Sequence, residues 1–257
     1  MAAEPSPDRL ALFSDVHGNR PALEAVLADI ATRGISRVYC LGDLVGYGPD
    51  PNGAIDLLRE RRIPSLLGNY DEGIGWDTGD CGCFYPDEQA KEIGKISYEF
   101  TSATVTPDRK AYLRNLPREL HLELADKRVR LVHGSPRRIN EYLLKDRNVR
   151  TYLRLARDET DDILAFGHTH DPWYRQFGDK LFVNVGSVGR PKDGDPHAMY
   201  VILASSPDVA TGSAAREAGA AVEVETRRVE YDVEAVAQAI ITVGLPAALA
   251  DLLRTGG

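Results

Sequence analysis

The chain has 257 residues, of which 43% are hydrophobic, and its formal net charge is -8 at pH 7. This length and composition favour a globular protein with an ample core. The acidic balance and the short, interrupted basic clusters give no signature of nucleic-acid binding. The stretch 1–8 lacks the apolar core of a signal peptide and is predicted to be a disordered lead-in. We therefore expect a cytoplasmic protein without a membrane partner, either a monomer or an oligomer.

Strands and helices alternate over the first part of the chain, 9–69. The strand RLALFSD precedes a helix that Asn19 caps and Gly34 ends, and the strand RVYCLGD precedes a helix that Asp50 caps. The stretch IPSLLGN is predicted to be a third strand. Because helices separate these strands, we expect parallel pairing, with the chemistry at the carboxyl ends of the strands.

The second half is richer in strands. ELHLELADKRVRLVHGSP predicts a hairpin, and further strands are DILAFGHTH, LFVNVGSVG, MYVILAS and VEVETRRVEYD. Helices do not separate the later strands, which suggests a second, more antiparallel set. We expect a mobile loop over 205–221 and a kinked amphipathic helix over 235–253. The chain as a whole, 1–257, is predicted to be a single domain.

Nitrogen and oxygen donors stand at five predicted strand ends. Any one of them has an ordinary explanation, since Gly-Asp is a common turn and a lone buried histidine is usually a hydrogen-bonded core residue. Together they indicate one constellation, because the carboxyl ends of parallel strands meet at one edge of a sheet. The donors are Asp15, His17, Asp43, Asn69, His133, His168 and His170.

The donor types predict a metal centre. Carboxylates, imidazoles and a carboxamide, without thiolate, suit Mn, Fe, Zn, Ni or Co. Seven donors exceed what one such ion takes, and a carboxylate such as Asp43 can bridge two ions. We therefore expect two divalent ions, with Mn²⁺ as the first candidate. Such a pair activates water and binds the oxygens of a phosphoryl group.

The ordered motifs DVH, GDLVGYG, GNYD, VHGSP and GHTH resemble those of the calcineurin-like metallophosphoesterases, in particular the small bacterial phosphodiesterase-like branch. The resemblance spans 15–170, and NVGSVGRPKDGDP continues it. It implies an α/β fold, a four-layer αββα sandwich in which helices flank two mixed β-sheets, with the metals at the carboxyl edge of the strands. It assigns to the first ion Asp15, His17, Asp43 and His170, and to the second ion Asp43, Asn69, His133 and His168.

The resemblance also implies a hydrolase acting on phosphoric ester bonds, in which a hydroxide bridging the two ions attacks phosphorus in line. Family members that hydrolyse monoesters efficiently have a histidine where this chain has Tyr70, and that histidine is thought to assist the leaving group. A phenol, whose ordinary pKa is about 10, is poorly matched to proton transfer at neutral pH. We therefore expect a phosphodiesterase that hydrolyses monoesters weakly, with Tyr70 or solvent assisting departure of the leaving group.

Three further groups of residues are candidates around the centre. Asn69 and Arg190 are predicted to stabilise charge on the equatorial oxygens. The loop 71–88 is a candidate lid, and its aromatic residues, Trp76, Phe84 and Tyr85, either stack on a nucleobase or aryl group or pack on the core. Gly186 and Ser187 either bring backbone close to the substrate or form a turn.

Other notable residues have weaker signals. Cys81 and Cys83 could bind a metal or form a strained redox pair, but no second pair of ligands with zinc spacing accompanies them. His121 and His197 match no ligand motif and are predicted to be structural.

Two alternative functions stay open. The first is a phosphoprotein or dinucleoside-polyphosphate phosphatase, against which the missing histidine counts. The second is a catalytically silent scaffold of the same fold, like the retromer-type relatives. A scaffold predicts eroded ligands, whereas all seven donors are present here.

Overall fold

The computed structural model describes residues 8–206 and 221–257, and it contains two β-sheets. The first sheet has the order β2-β1-β8-β9 and the second the order β3-β4-β5-β7-β6. The strands are β1 (Arg9–Phe13), β2 (Arg37–Cys40), β3 (Glu119–Leu124), β4 (Lys127–Val132), β5 (Ile163–Phe166), β6 (Trp173–Phe177), β7 (Lys180–Asn184), β8 (Ala198–Ser206) and β9 (Ala221–Val229).

The helices of the described residues are α1 (Arg20–Thr32), α2 (Pro51–Glu60), α3 (Asn69–Trp76), α4 (Glu88–Thr104), α5 (Pro107–Arg114), α6 (Val149–Asp158), α7 (Val233–Thr242) and α8 (Ala247–Thr255). The two predicted caps are confirmed. The Asn19 side chain accepts a hydrogen bond from the Ala22 N–H, and the Asp50 side chain accepts one from the Gly53 N–H. These caps satisfy backbone donors that the first turn of a helix leaves unpaired.

Both sheets are mixed. β1 pairs in parallel with β2, as predicted, and β5 pairs in parallel with both β4 and β7. The predicted strand IPSLLGN is wrong, because this stretch makes only a single bridge, between Ser65 and Cys40. Pro64 within it has no N–H to donate to a ladder.

The predicted separate set of later strands is also wrong. β8 runs antiparallel to β1 and carries β9 on its other side, so both strands complete the first sheet. The residues of β8 from Ala198 to Leu203 are buried without alternation. A strand of this kind needs cover on both faces, and a central position in the sheet supplies it.

Three hydrophobic cores separate four layers. In β1, Leu10 and Leu12 face the core between the two sheets, whereas Ala11 and Phe13 face the core beneath α1, α2, α7 and α8. On the far side of the second sheet, Phe166 and its neighbours pack against α6. The alternation of side chains along β1 therefore joins two layers. The predicted αββα sandwich is confirmed.

The region predicted as a lid loop, 71–88, is partly helical. It continues α3, which starts at Asn69, and ends where α4 starts at Glu88. The closing segment forms two helices rather than one kinked helix, because Gly244 and Pro246 lie between α7 and α8. The helices α4, α5 and α6 and the strand β6 were not predicted.

Most of the predicted lead-in, 1–8, and most of the predicted mobile loop, 205–221, lie outside the described residues. The edges of that loop are ordered into strands, since β8 continues to Ser206 and β9 begins at Ala221. Among the described helices, none is both long and apolar enough to cross a membrane.

The polar loops at the carboxyl edge of the sheets pack so closely that a methyl group does not fit between them. A Cβ atom at Gly68 would lie 2.1 Å from both the backbone N and the side-chain Oδ1 of Asp43. At Gly75, within α3, the nearest atom would be the flexible Arg114 Cγ at 3.3 Å. Gly68 therefore sets the position of Asp43.

We predict that Gly68→Ala destabilises the protein by about 1–3 kcal/mol, as overpacking does, and weakens Mn²⁺ binding by displacing Asp43. Gly75→Ala is the matched control, and it should leave Mn²⁺ binding unchanged without destabilising the protein, since alanine favours a helix more than glycine does. Urea unfolding and isothermal titration calorimetry measure both. Wild-type Mn²⁺ affinity in Gly68→Ala would contradict the prediction.

Candidate metal centre and active site

The seven predicted ligands lie together at the carboxyl edge of the strands, and each is buried, with at most 3% of its surface exposed. Asp15 and His17 follow β1, Asp43 follows β2, and Asn69 begins α3. His133 follows β4, and His168 and His170 follow β5. Two groups result, each with its ligand atoms within 4.8 Å of one another. The first contains Asp15, His17 and His170, and the second contains Asp43, His133 and His168.

In the first group, two imidazole nitrogens face each other. The Nε2 atoms of His17 and His170 are 3.1 Å apart. The Nδ1 atom of His17 donates to the Val45 carbonyl at 3.0 Å, and that of His170 donates to the Arg190 carbonyl at 2.6 Å. In a neutral imidazole, a proton on Nδ1 leaves a lone pair on Nε2. Two lone pairs at this distance repel each other unless a proton or a metal cation lies between them, and burial lowers the pKa of both rings and so disfavours the proton.

In the second group, an imidazole nitrogen faces an amide oxygen. His133 donates from Nδ1 to the Leu41 carbonyl, and its Nε2 lies 3.0 Å from Asn69 Oδ1. The Asn69 amide group donates to the Cys81 carbonyl at 2.9 Å and to Cys83 Sγ at 3.2 Å. These bonds orient the amide so that its oxygen, an acceptor, faces the imidazole.

Asp43 faces both groups. Its Oδ1 accepts a hydrogen bond from the Tyr70 N–H at 2.8 Å. Its Oδ2 is 3.4 Å from His133 Nε2 and 3.8 Å from His17 Nε2. A carboxylate in this position can contribute to two ions.

The donor set therefore fits two divalent cations. All of the donor atoms are oxygens or imidazole nitrogens, and such atoms bind metals of hard to borderline character. Two of the ligand atoms, Asp15 Oδ1 and His168 Nε2, are buried and make no hydrogen bond to the described residues. Buried polar atoms without partners are costly, and coordination would satisfy both.

Backbone strain is concentrated at the same ligands. Positive φ angles occur at five of them, namely Asp15 (57°), His17 (48°), Asp43 (54°), His168 (65°) and His170 (62°). Such conformations cost roughly 1–3 kcal/mol each in residues other than glycine and cluster at functional sites. The fold therefore holds these side chains in place at an energetic cost.

The pKa values of the histidines differ according to their surroundings. Burial lowers the pKa of His168 to about 3, and the neighbouring His133 contributes; burial also lowers the pKa of His170 to about 3, together with the charge of Lys192. Burial acts in the same direction on His133, but the Asp43 carboxylate outweighs it and raises the pKa to about 9. Without a metal ion, His133 is thus the imidazole of this set that is protonated at neutral pH.

Asp71 positions the centre, although the sequence analysis gave it no role. Its carboxylate accepts hydrogen bonds from the N–H groups of Leu44 (2.9 Å), Val45 (3.3 Å) and Gly68 (3.0 Å). These bonds tie the loop after β2 to the start of α3. Burial and the charge of Asp43 raise the pKa of Asp71 to about 7. The position of Asp71 in the GNYD motif was the sequence feature that could have indicated this role.

The Tyr70 ring lies 5.8 Å from the ring of the candidate ligand His17, and its hydroxyl is directed to α4. Its ring is fully buried, and its hydroxyl lies 3.0 Å from Ser97 Oγ in α4. Burial raises the pKa of this phenol well above its ordinary value. The hydroxyl predicted to assist the leaving group is thus bonded to α4, whereas the backbone N–H of Tyr70 holds Asp43.

The two residues predicted to bind substrate near the end of β7 lie beneath the centre. Ser187 is 1% exposed, donates its hydroxyl to the Asp15 carbonyl at 2.8 Å and accepts from the Arg190 N–H. Gly186 has a φ of 69°, and a Cβ atom there would lie 2.7 Å from Met199 Sδ. Both residues support the loops that carry Asp15 and Arg190, and this geometry gives no direct substrate contact.

Arg190 lies beside the centre. Its guanidinium covers the Tyr47 ring at 4.2 Å, and the Tyr47 ring in turn lies 5.0 Å from the His17 ring. Lys192, which the sequence analysis missed, is bonded to the first group through its backbone N–H, which donates to the His170 carbonyl. Both cations occur in the single stretch GRPKDGD.

Trp76 lies on the other side of the centre, 49% exposed, in a cleft that Asn69 and Arg118 also line. Cys81 and Cys83 act as acceptors for Asn69 and belong to neither ligand group. His121 and His197 are outside the groups as well, paired with Asp161 and Asp195.

We predict that His133 in the metal-free protein stays protonated at pH 7.5 and titrates at about pH 9, while His168 and His170 are neutral at pH 5 and above. A metal ion that binds at the second group must displace the His133 proton. The affinity of this group for the metal should therefore rise with pH up to about 9. Long-range ¹H–¹⁵N NMR spectra of the imidazoles measure each protonation state. Asp43→Asn should lower the His133 pKa, and a neutral His133 at pH 7 in the wild type would contradict the prediction.

Comparison with known proteins agrees with this geometry. Residues 9–206 match the family model described as the calcineurin-like phosphoesterase superfamily domain. The chain is 30% identical to the uncharacterized protein MJ0912 of Methanocaldococcus jannaschii, covering 96% of this chain and 98% of that protein. It is 27% identical to phosphodiesterase YfcE of Escherichia coli, covering 76% and 86% respectively.

A solved structure leads to the same assignment. The crystal structure of a metallophosphoesterase from Sphaerobacter thermophilus superposes with a TM-score of 0.74 at 29% identity, covering 98% of this chain and all of that one. The chain therefore belongs to the calcineurin-like phosphoesterase superfamily and is a metal-dependent hydrolase of phosphoester bonds.

Proposed function

We propose that this protein is a phosphodiesterase that uses two divalent ions, Mn²⁺ first among them, and hydrolyses small phosphodiesters in the cytoplasm in preference to monoesters. The observation that carries the proposal is the convergence of buried ligand atoms in two groups, with opposed imidazole lone pairs in the first group and Asp43 facing both groups. This arrangement suits two cations, and the phosphodiesterase YfcE is similar to 76% of this chain.

The chemistry follows from the donors. Two ions held here would lower the pKa of a bound water and stabilise the charge on phosphoryl oxygens during in-line displacement. Asp15 and Asp43 supply the negative charge that holds the cations, and burial of the ligands excludes competing water. Arg190 and Lys192 add two positive charges beside the centre, where they can orient the anionic oxygens of the substrate.

The chain has few side chains that could transfer a proton to the leaving group. The chain contains six histidines. Four of them are candidate ligands, and the other two are paired with aspartates elsewhere. No imidazole is therefore left to protonate a leaving group, and the Tyr70 hydroxyl is bonded to Ser97. General acid catalysis typically contributes roughly 10²- to 10⁴-fold, so substrates with good leaving groups should react best.

The alternatives are less well supported. A phosphoprotein or dinucleoside-polyphosphate phosphatase shares the centre but is disfavoured by the missing imidazole. A silent scaffold requires no preserved ligands, whereas all seven are buried and converge.

The test is a panel of phosphomonoesters and phosphodiesters assayed with Mn²⁺, Ni²⁺, Zn²⁺, Fe²⁺ and Mg²⁺. We expect aryl diesters to exceed alkyl monoesters in kcat/KM. Asp43→Asn should lower kcat at least about 10²-fold, since it removes charge from both ions. Asp179→Asn, a change to an exposed acid in the turn between β6 and β7, is the control. Preference for alkyl monoesters, or near-wild-type turnover by Asp43→Asn, would refute the proposal.

Tyr70→Phe should leave kcat for an aryl diester within about threefold of wild type, because the hydroxyl is not at the centre. The variant should instead lose about 1 kcal/mol of unfolding free energy, since Ser97 loses a buried hydrogen-bond partner. Steady-state kinetics and urea unfolding separate the two effects. A loss of 10²-fold or more in kcat, with stability unchanged, would restore Tyr70 as a catalytic residue.

A further inference from the structure

An open cleft of about 760 Å³ adjoins the metal centre, and only Arg190 and Lys192 of its lining take part in the chemistry described above. Its lining includes Tyr47, Phe84, Tyr142, Leu144, Arg190 and Lys192. This cleft, the aromatic cleft, is distinct from the one that contains Trp76.

The base of the aromatic cleft reaches both ligand groups. The Tyr142 ring lies 4.1 Å from the His168 ring, between centroids, and Tyr47 lies 5.0 Å from His17. Thr169, between the two ligands of the GHTH motif, also lines the cleft. A molecule in the cleft would therefore have one end beside the metal centre.

Positive charge is concentrated at that end. Arg190 and Lys192 line the cleft next to the first ligand group. The Arg190 Nε atom is buried and has no hydrogen-bond partner among the described residues. Guanidinium N–H groups bind phosphate oxygens well, so this end suits a phosphoryl group.

The wall further from the centre is apolar and unusually exposed. The side chain of Phe84 is 74% exposed and that of Leu144 is 44% exposed. The two loops that carry them are joined, since the Phe84 N–H donates to the Tyr142 hydroxyl at 3.4 Å and the Asn140 side chain donates to the Gly82 carbonyl at 3.0 Å. Large apolar side chains held exposed beside a polar centre mark binding sites.

We propose that the aromatic cleft binds a planar aromatic substituent of the phosphodiester, a nucleobase or an aryl group, against Phe84, Tyr142 and Leu144 while Arg190 and Lys192 contact the phosphoryl oxygens. This inference rests on the proposed function, because it takes the phosphoryl group to lie at the metal centre. Of the three aromatic residues predicted from the sequence to stack, Phe84 keeps that role in this proposal and Trp76 loses it.

Binding of simple phosphonates to the Mn²⁺-loaded protein tests the proposal, since phenylphosphonate and methylphosphonate carry a phenyl and a methyl group on the same phosphonate and are compared at a pH at which both are dianions. Calorimetry should give a lower Kd for phenylphosphonate. Phe84→Ala should weaken phenylphosphonate binding roughly tenfold, the scale of one aromatic stack, and leave methylphosphonate unchanged. Leu144→Ala should cause a smaller loss of the same kind.

Trp76→Ala is the matched control, because Trp76 is an exposed aromatic residue in the neighbouring cleft. It should leave both Kd values unchanged. Equal affinity of the wild type for the two phosphonates, or a ring-specific loss in Trp76→Ala and not in Phe84→Ala, would overturn the proposal. Thermal unfolding of each variant shows that the fold is kept.

Two further ligands identify the aromatic group. The increase in affinity from ribose 5-phosphate to adenosine 5′-monophosphate is compared with the increase from methylphosphonate to phenylphosphonate. A larger increase for the nucleotide pair indicates that the cleft selects a nucleobase. A larger increase for the phosphonate pair indicates a simple aryl group. Hydrolysis of an aryl diester by the wild type without any preference for aromatic ligands would refute this inference alone. Absence of hydrolysis would refute the proposed function as well.

Discussion

The opposition of lone pairs at the carboxyl edge of the strands is the interaction on which the rest of the structure depends. Backbone carbonyls fix the protons of His17 and His170 on Nδ1, so that the two Nε2 atoms face each other at 3.1 Å. Protein groups alone do not make this contact favourable, whereas a cation does. The loops around the site hold the ligands in this arrangement, which a fold selected for stability alone would avoid.

The surrounding fold bears the cost of that arrangement. Left-handed backbone conformations at the ligands, a buried aspartate that binds three N–H groups, and Gly68 packed against Asp43 all serve to fix side chains in place. The three apolar cores, one between the sheets and one on the outer face of each, make such strain tolerable. Burial of each large side chain contributes about 1.5–3 kcal/mol to stability. The same rigidity gives the aromatic cleft a fixed position relative to the metal centre.

The ligand set could be predicted from sequence because it depends on a local rule. Polar residues that directly follow parallel apolar strands meet at one edge of a sheet, and β1 with β2 and β4 with β5 pair in parallel. Sheet membership could not be predicted in this way, since the pairing of β8 with β1 joins segments far apart in the chain. The direction of the Tyr70 side chain was equally hidden. Whether that hydroxyl faces the centre or Ser97 depends on packing against α4, which the local pattern does not record.

Metal stoichiometry tests the central claim most directly. Protein stripped with a chelator, reloaded with Mn²⁺ and passed through a desalting column should carry two ions per chain by elemental analysis. His170→Ala removes one of the two opposed nitrogens of the first group and should reduce the content to one ion. A folded wild-type protein that retains no ion, or a His170→Ala variant that still retains two, would contradict the assignment of these ligands.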